Sequence, residues 1–194
     1  MFNFSKLKKK HTIKVPQNIH IIYCNDKNII TFIGPLQKKS LRLKVKVFLV
    51  QASNLIVVTK LTAFGTSTTD LKIAKKIQGT TVAKIKQALT EITYTLHTKL
   101  RLVGVGYRVF AQDQLANQIY LKLGYSHLVH FNVPETLTVY SQKNTKLSLF
   151  GSYSYDKLTQ TAAQIRACRF PEPYKGKGVL YDQEKISLKK GKKI

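Results

Sequence analysis

Acid–base chemistry in this chain would have to be built from nine carboxylates, and most of them stand alone. Asp182 and Glu184 are neighbours, but lysines surround both. A general acid–base pair needs two carboxyls in different environments, and nothing supplies that here. His127 and His130 form an HxxH. On a strand, residues three apart point to opposite faces and no third ligand is near, so no metal site is expected. Gly104-Val105-Gly106-Tyr107 begins like a dinucleotide fingerprint, but the third glycine position is Val109 and a strand continues where a helix should start. A bend or bulge in a strand is the expectation, with close approach to a partner as the alternative. Walker-type loops, a Gly-x-Ser-x-Gly elbow and a paired Cys and His are all absent from the sequence. The chain therefore reads as a non-enzyme with no cofactor and no small-molecule substrate.

Binding chemistry is concentrated at the C-terminal end. Residues 166 to 194 hold nine cations against three acids. Arg166 and Arg169, three apart, project from one side of a helix end that Pro171 must stop. Pro173 stiffens the next segment. Gly176 and Gly178 strip side chains from a loop carrying Lys175 and Lys177, so that backbone N–H and ammonium groups could approach phosphates together. Tyr174 could stack on a base or sugar. Lys185, Lys189, Lys190, Lys192 and Lys193 continue the run. The plain alternative is a solvated charge run; rigid prolines, spaced glycines and an aromatic argue for a shaped contact. Lys6, Lys8, Lys9, Lys10, His11 and Lys14 form a second, N-terminal basic arm.

The whole chain carries the same bias. It has 194 residues, 33 Lys+Arg, 9 Asp+Glu and a formal charge of +24, yet 43% of its residues are hydrophobic. It is thus a globular body rather than a disordered basic tail, and a polyanion, most commonly nucleic acid, would relieve its self-repulsion. The apolar stretch Val47–Thr59 is interrupted by Gln51, Ser53 and Asn54 and is shorter than the roughly 20 residues needed to span a bilayer, so no membrane insertion is expected. Cys24 and Cys168 form no cluster and are expected to be buried free thiols in a reducing compartment. Met1-Phe2-Asn3-Phe4 runs directly into Lys6 and Lys8, so neither a secretory signal nor a transit peptide is expected. Only five of the cations are arginines, and Lys, Ile, Asn, Phe and Tyr abound, a composition expected of an A+T-rich genome, organellar or bacterial.

These residues need elements to hold them, and the pattern along the chain supplies such elements twice. Val15-Pro16-Gln17-Asn18-Ile19-His20-Ile21 resembles Val133-Pro134-Glu135-Thr136-Leu137-Thr138-Val139 at an offset of 118, and Ile29–Gly34 resembles Lys146–Gly151 at 117. A helix capped by Thr80 or Thr81 and running to about His97 would bury Val82, Ile85, Leu89, Ile92 and Leu96. A second, capped by Asp156, would bury Leu158, Ala162, Ile165 and Cys168. Leu41–Val47, Leu100–Phe110 and Ile119–Leu123 read as strands, with a turn at Asp113–Asn117. The expected fold class is α+β: two tandem homologous domains, each an antiparallel β-sheet with a helix packed on one face. The expected segments are a basic arm over 1–11, domains over 12–98 and 99–181, and a basic tail over 182–194.

The run Arg169-Phe170-Pro171-Glu172-Pro173-Tyr174-Lys175-Gly176-Lys177-Gly178, with Tyr181 and Glu184 behind it, resembles the universal large-subunit ribosomal protein number six family in its bacterial-type form. Leu102–Arg108, Leu123-Gly124-Tyr125-Ser126-His127, the opening around Pro16 and Thr31–Gly34, and the helix from Gly79 carry the likeness over nearly the whole chain. The resemblance implies two similar α+β domains and a structural role in the large ribosomal subunit. It implies docking of the C-terminal domain and tail on large-subunit ribosomal RNA near the elongation-factor-binding region, with neighbouring ribosomal proteins and the stalk base as further partners. Carried onto this chain, it makes Arg166, Arg169, Tyr174, Lys175, Lys177 and the terminal lysines RNA contacts, together with Tyr107, Arg108, Ser126 and His127. Residues 35–78 look longer and richer in lysine than the bacterial form. With the A+T bias and the lysine arm, that departure points to the mitochondrial matrix, with bacterial cytoplasm or plastid as the alternative.

Overall fold

A computed structural model describes residues 11–62, 71–111, 118–151 and 154–191. The expected N-terminal arm, the Asp113–Asn117 turn, Lys192 and Lys193 lie outside these residues, His11 and Lys14 excepted. The chain divides into two compact units, Met1–Tyr94 and Thr95–Ile194. The expected boundary at 98/99 falls inside a strand.

The first unit contains β1 (Thr12–Lys14), β2 (His20–Cys24), β3 (Ile29–Ile33), β4 (Lys38–Arg42), β5 (Val45–Val50), β6 (Leu55–Thr62) and α1 (Leu71–Thr93). Its strands form two antiparallel sheets, ordered β1-β6-β5 and β2-β3-β4. The second unit contains β7 (Leu96–Val103), β8 (Arg108–Ala111), β9 (Gln118–Lys122), β10 (Val129–Asn132), β11 (Leu137–Lys143), β12 (Lys146–Gly151), α2 (Tyr155–Ala167) and β13 (Gly178–Tyr181). Its sheets are ordered β11-β12-β7-β13 and β10-β9-β8. Each unit thus has two sheets, not the single one expected, and the helix follows the sixth strand in both.

That element order corrects the repeat. β1-β6-β5 corresponds to β7-β12-β11, and β2-β3-β4 to β8-β9-β10, with β13 added beyond β7. The fifth strands begin at Val45 and Leu137, 92 residues apart, whereas the sequence match at 118 aligned β2 and β3 with β11 and β12. The duplication is real, but the match joined non-equivalent hairpins because their chemistry is alike. In both, a backbone N–H closes the Val-Pro turn, Ile19 N to Pro16 O at 3.3 Å and Leu137 N to Pro134 O at 2.9 Å. Both also bury an aliphatic or aromatic pair, Ile30 and Phe32 in one and Leu147 and Leu149 in the other, all 0% exposed.

Two expected strands are each broken in two. Leu41–Val47 turns a corner at Leu43, so β4 and β5 belong to different sheets; alternation continued through the corner because both sheets face the same core. Leu100–Phe110 is likewise β7 and β8, joined by a turn at Gly104–Gly106 rather than a bulge.

The helices bury the expected stripes with shifted ends. Val82, Ile85, Leu89 and Ile92 face the first core, and Leu158, Ala162 and Ile165 the second. Leu96 and His97 belong to β7 instead. α1 begins at Leu71, so Thr80 and Thr81 are not caps; inside the helix both hydroxyls donate back to Ile77 O, at 2.9 and 2.8 Å. At the start of α2, Ser154 occupies the N-cap position and Asp156 lies in the first turn, where its charge complements the helix dipole. Glu91 lies fully buried in α1. Its carboxylate is satisfied by Lys39 and by Gln87 Nε2 at 2.9 Å, as a buried charge requires. Of the thiols, Cys168 is half-buried but Cys24 is exposed on β2, and both are free.

Candidate nucleic-acid interface

The basic C-terminal segment is a closed loop pinned to the second unit. α2 ends at Ala167 with Cys168 as its C-cap, and Val179 N donates to Arg169 O at 3.0 Å, starting β13 along the edge of β7. Between them Glu172 N donates to Lys177 O (2.8 Å) and Gly176 N to Glu172 O (2.9 Å). Gly176 has φ 67, a left-handed conformation that glycine adopts without cost. Gly178 has φ 151, and a Cβ there would lie 2.6 Å from Pro171 Cα. Only glycine lets the two backbones meet, and that contact fixes how far Tyr174 and Lys175 stand out. Beyond β13, Lys189 N donates to Pro173 O at 2.9 Å, laying the tail back over the loop.

One carboxylate organises the tail. Glu184 accepts from Arg166 Nε at 3.1 Å and Nη2 at 2.5 Å, and from Tyr181 N at 3.1 Å. Its backbone carbonyl accepts from Arg101 Nη2 at 2.8 Å. The hydrogen bonds from Arg166 hold the Glu184 carboxyl below its ordinary range, and the same bonds raise the Arg166 guanidinium. Arg166 also lies 5.3 Å from the Phe170 ring centroid and 5.8 Å from that of Tyr181.

A second loop, between β9 and β10, meets the first. Tyr107 is buried, its ring filling the space a side chain would need at Gly104 and at Gly124, where a Cβ would lie 2.9 and 3.0 Å away. Beside Gly124, Tyr125 donates its hydroxyl to Cys168 O at 3.1 Å. Arg169 lies 4.8 Å from the Tyr125 ring centroid, and His127 stacks on the same ring at 5.6 Å. The phenol oxygen of Tyr125, and less so that of Tyr107, raises the Arg169 guanidinium above its ordinary range.

Of the sequence-derived contacts, Tyr174, Lys175, Lys185, Lys189, Lys190, Arg108, Ser126 and His127 are exposed, and Lys177 is half-buried. Arg166 and Arg169 are half-buried and engaged within the unit. Tyr107, at 6% exposure, holds two glycine turns together and presents no free ring face. Sequence reasoning overlooked Tyr125, which joins the two loops, and Phe170, which stands 61% exposed beside Arg166. Their place within the glycine- and proline-rich motifs was the available sign. Among the described residues no group of three or more His, Cys, Asp or Glu could hold a metal, and no helix is long and apolar enough to cross a membrane.

Two small α+β units, the second bearing a stiffened, lysine-rich loop, make a basic scaffold. The comparisons with known proteins agree. The family model of ribosomal protein L6 matches residues 103–182. The chain is 40% identical over 182 residues to the large ribosomal subunit protein uL6 of Mycoplasmoides gallisepticum, covering 93% of this chain and 92% of that one. To the protein of that name from Dictyoglomus thermophilum it is 35% identical, covering 94% and 95%. The chain belongs to the ribosomal protein L6 family, and with that family it is a structural protein rather than an enzyme.

Proposed function

We propose that this protein is a structural constituent of the large ribosomal subunit that anchors on large-subunit ribosomal RNA through loop 169–178 and the tail behind it. The observation carrying this reading is the loop itself, closed by its own hydrogen bonds and seated on Gly178, with Tyr174 and Lys175 exposed at its tip. A preformed loop loses little freedom on binding, and its ammonium groups meet phosphates while Tyr174 covers a sugar or base. Arg108, Ser126 and His127 extend the contact surface, and Arg166 and Arg169 act from within it, holding loop and tail in shape while facing the RNA. The bound position is near the elongation-factor-binding region, with neighbouring ribosomal proteins and the stalk base as partners; this rests on the family resemblance. For the compartment, composition favours the mitochondrial matrix, while the relatives are bacterial and support bacterial cytoplasm as well.

The test is sedimentation of a native lysate with the chain followed across the gradient at rising salt. Co-migration with large subunits, lost only at high salt, is expected. Changing Lys175→Glu and Lys177→Glu together should move the protein to the light fractions at a lower salt concentration; an unchanged profile would remove the loop as the anchor. Repeating the gradient on purified organelles assigns the compartment.

A further inference from the structure

Beyond the loop, the second unit has another surface whose chemistry is unassigned: the face of the sheet β11-β12-β7-β13 opposite its core. Its inner face is closed by Leu100, Leu147 and Leu149 against α2. Directly paired residues share a face, so the register defines the outer one in rows. Thr138, Phe150 and His97 form one row, Tyr140, Ser148 and Lys99 the next, and Lys146 and Arg101 a third. Tyr140 is 62% exposed and Phe150 40%. His97 and Lys99 are exposed as well, and the His97 and Phe150 rings are 6.1 Å apart with a tilt of 33°.

We propose that this face is a second RNA-binding surface, which takes unpaired nucleotides by stacking their bases on Tyr140, Phe150 and His97. Neighbouring strands lie about 4.8 Å apart, so rings on three adjacent strands span about 10 Å, enough for two bases side by side. The exposed cations sit where the backbone of such a strand would run: Lys99 beside Tyr140, and Lys146 one row further, while Arg101 in that row is held by the Glu184 carbonyl. No carboxylate stands in the three rows; Asp182 lies at the edge, its N–H bonded to Lys99 O at 3.0 Å. A face built to dock a protein would be depleted in lysine. Exposed rings interleaved with ammonium groups match single-stranded nucleic acid, for which a ring supplies a salt-independent contribution and a lysine a salt-dependent one. A double helix could not use the rings, because its bases are already stacked.

The experiment uses the full-length protein and a fluorescent ten-nucleotide oligouridylate, with affinity measured by anisotropy across a salt series. The paired change Tyr140→Ala and Phe150→Ala should weaken binding about tenfold with the same salt slope. Lys99→Glu should flatten the slope instead. The Lys175→Glu, Lys177→Glu protein should keep the stacking contribution, which separates this surface from the loop anchor. Circular dichroism and the melting temperature of each variant verify folding. As a second readout, 4-thiouridine crosslinking followed by peptide mapping should label β11 or β12. Unchanged affinity in the aromatic variant overturns the proposal, as do crosslinks confined to residues 166–191. The same holds if that variant keeps its oligonucleotide affinity but loses subunit incorporation, which would make the face a protein contact. Dissociation of a dimer by the aromatic change, with RNA binding intact, would overturn it in favour of a second copy.

Discussion

At the scale of single residues, Glu184 and Gly178 determine whether the basic segment has a shape. Glu184 gathers Arg166, Tyr181 N and, through its carbonyl, Arg101. The pair with Arg166 is about a quarter exposed, so solvent screens it, and Glu184→Gln should cost about 1 kcal/mol in thermal or urea unfolding. The sign with pH follows from the depressed carboxyl. Its contribution is complete above the ordinary value of 4.5 and is lost as pH falls below that through the folded-state pKa. Wild type and Glu184→Gln should therefore converge in stability in acid, and a constant gap down to the acid limit would contradict the assignment. Gly178→Ala meets backbone, not a flexible side chain, and combines a clash with a disfavoured φ. We expect a loss of about 2–3 kcal/mol together with weakened RNA binding. The same change at Gly79, where a Cβ would meet nothing, should be neutral or stabilising because alanine favours the helix.

At the scale of elements, α2 is short and holds the loop in place by its C-terminal end, so its buried stripe controls the site from below. Ile165 is 0% exposed and lies one residue before Arg166. Ile165→Ala should cost about 2–5 kcal/mol by leaving a cavity under the helix end, read as a lowered denaturant midpoint with unchanged m-value. Cys168, half-buried next along the stripe, has its thiol pushed up by burial and should react slowly with thiol reagents. Cys24, exposed on β2, should react first, and mass spectrometry after brief alkylation separates the two.

At the scale of the whole molecule, each unit has its own core, and the buried clusters share no residue. A fragment spanning 95–194 should therefore fold alone and melt cooperatively by circular dichroism; a fragment without a transition would show that one core depends on the other. The formal charge of +24 also sets the response to salt, since neutralising phosphates releases counterions. Loss of ribosome association with salt should be steep, and should become shallower with each lysine removed from the loop.

Sequence alone determined the fold class, both helical stripes and the basic loop, because these depend on periodicity, on proline and glycine at turns, and on composition. It also indicated the family through one long motif. Which strands correspond, and where a strand turns from one sheet to another, was decided only by tertiary structure. Both sheets of a unit demand the same alternation, so Leu41–Val47 and Leu100–Phe110 look continuous until strand pairing is known. The roles of the charged residues divide in the same way. Arg166 and Lys175 are equivalent cations in sequence, but Glu184 lies eighteen residues beyond Arg166 and reaches it only through β13. Tyr107 and Tyr174 are equally aromatic in sequence, yet one fills the space above two glycines and the other stands in solvent. Residue type supplies the available chemistry, and packing selects which groups remain free to use it.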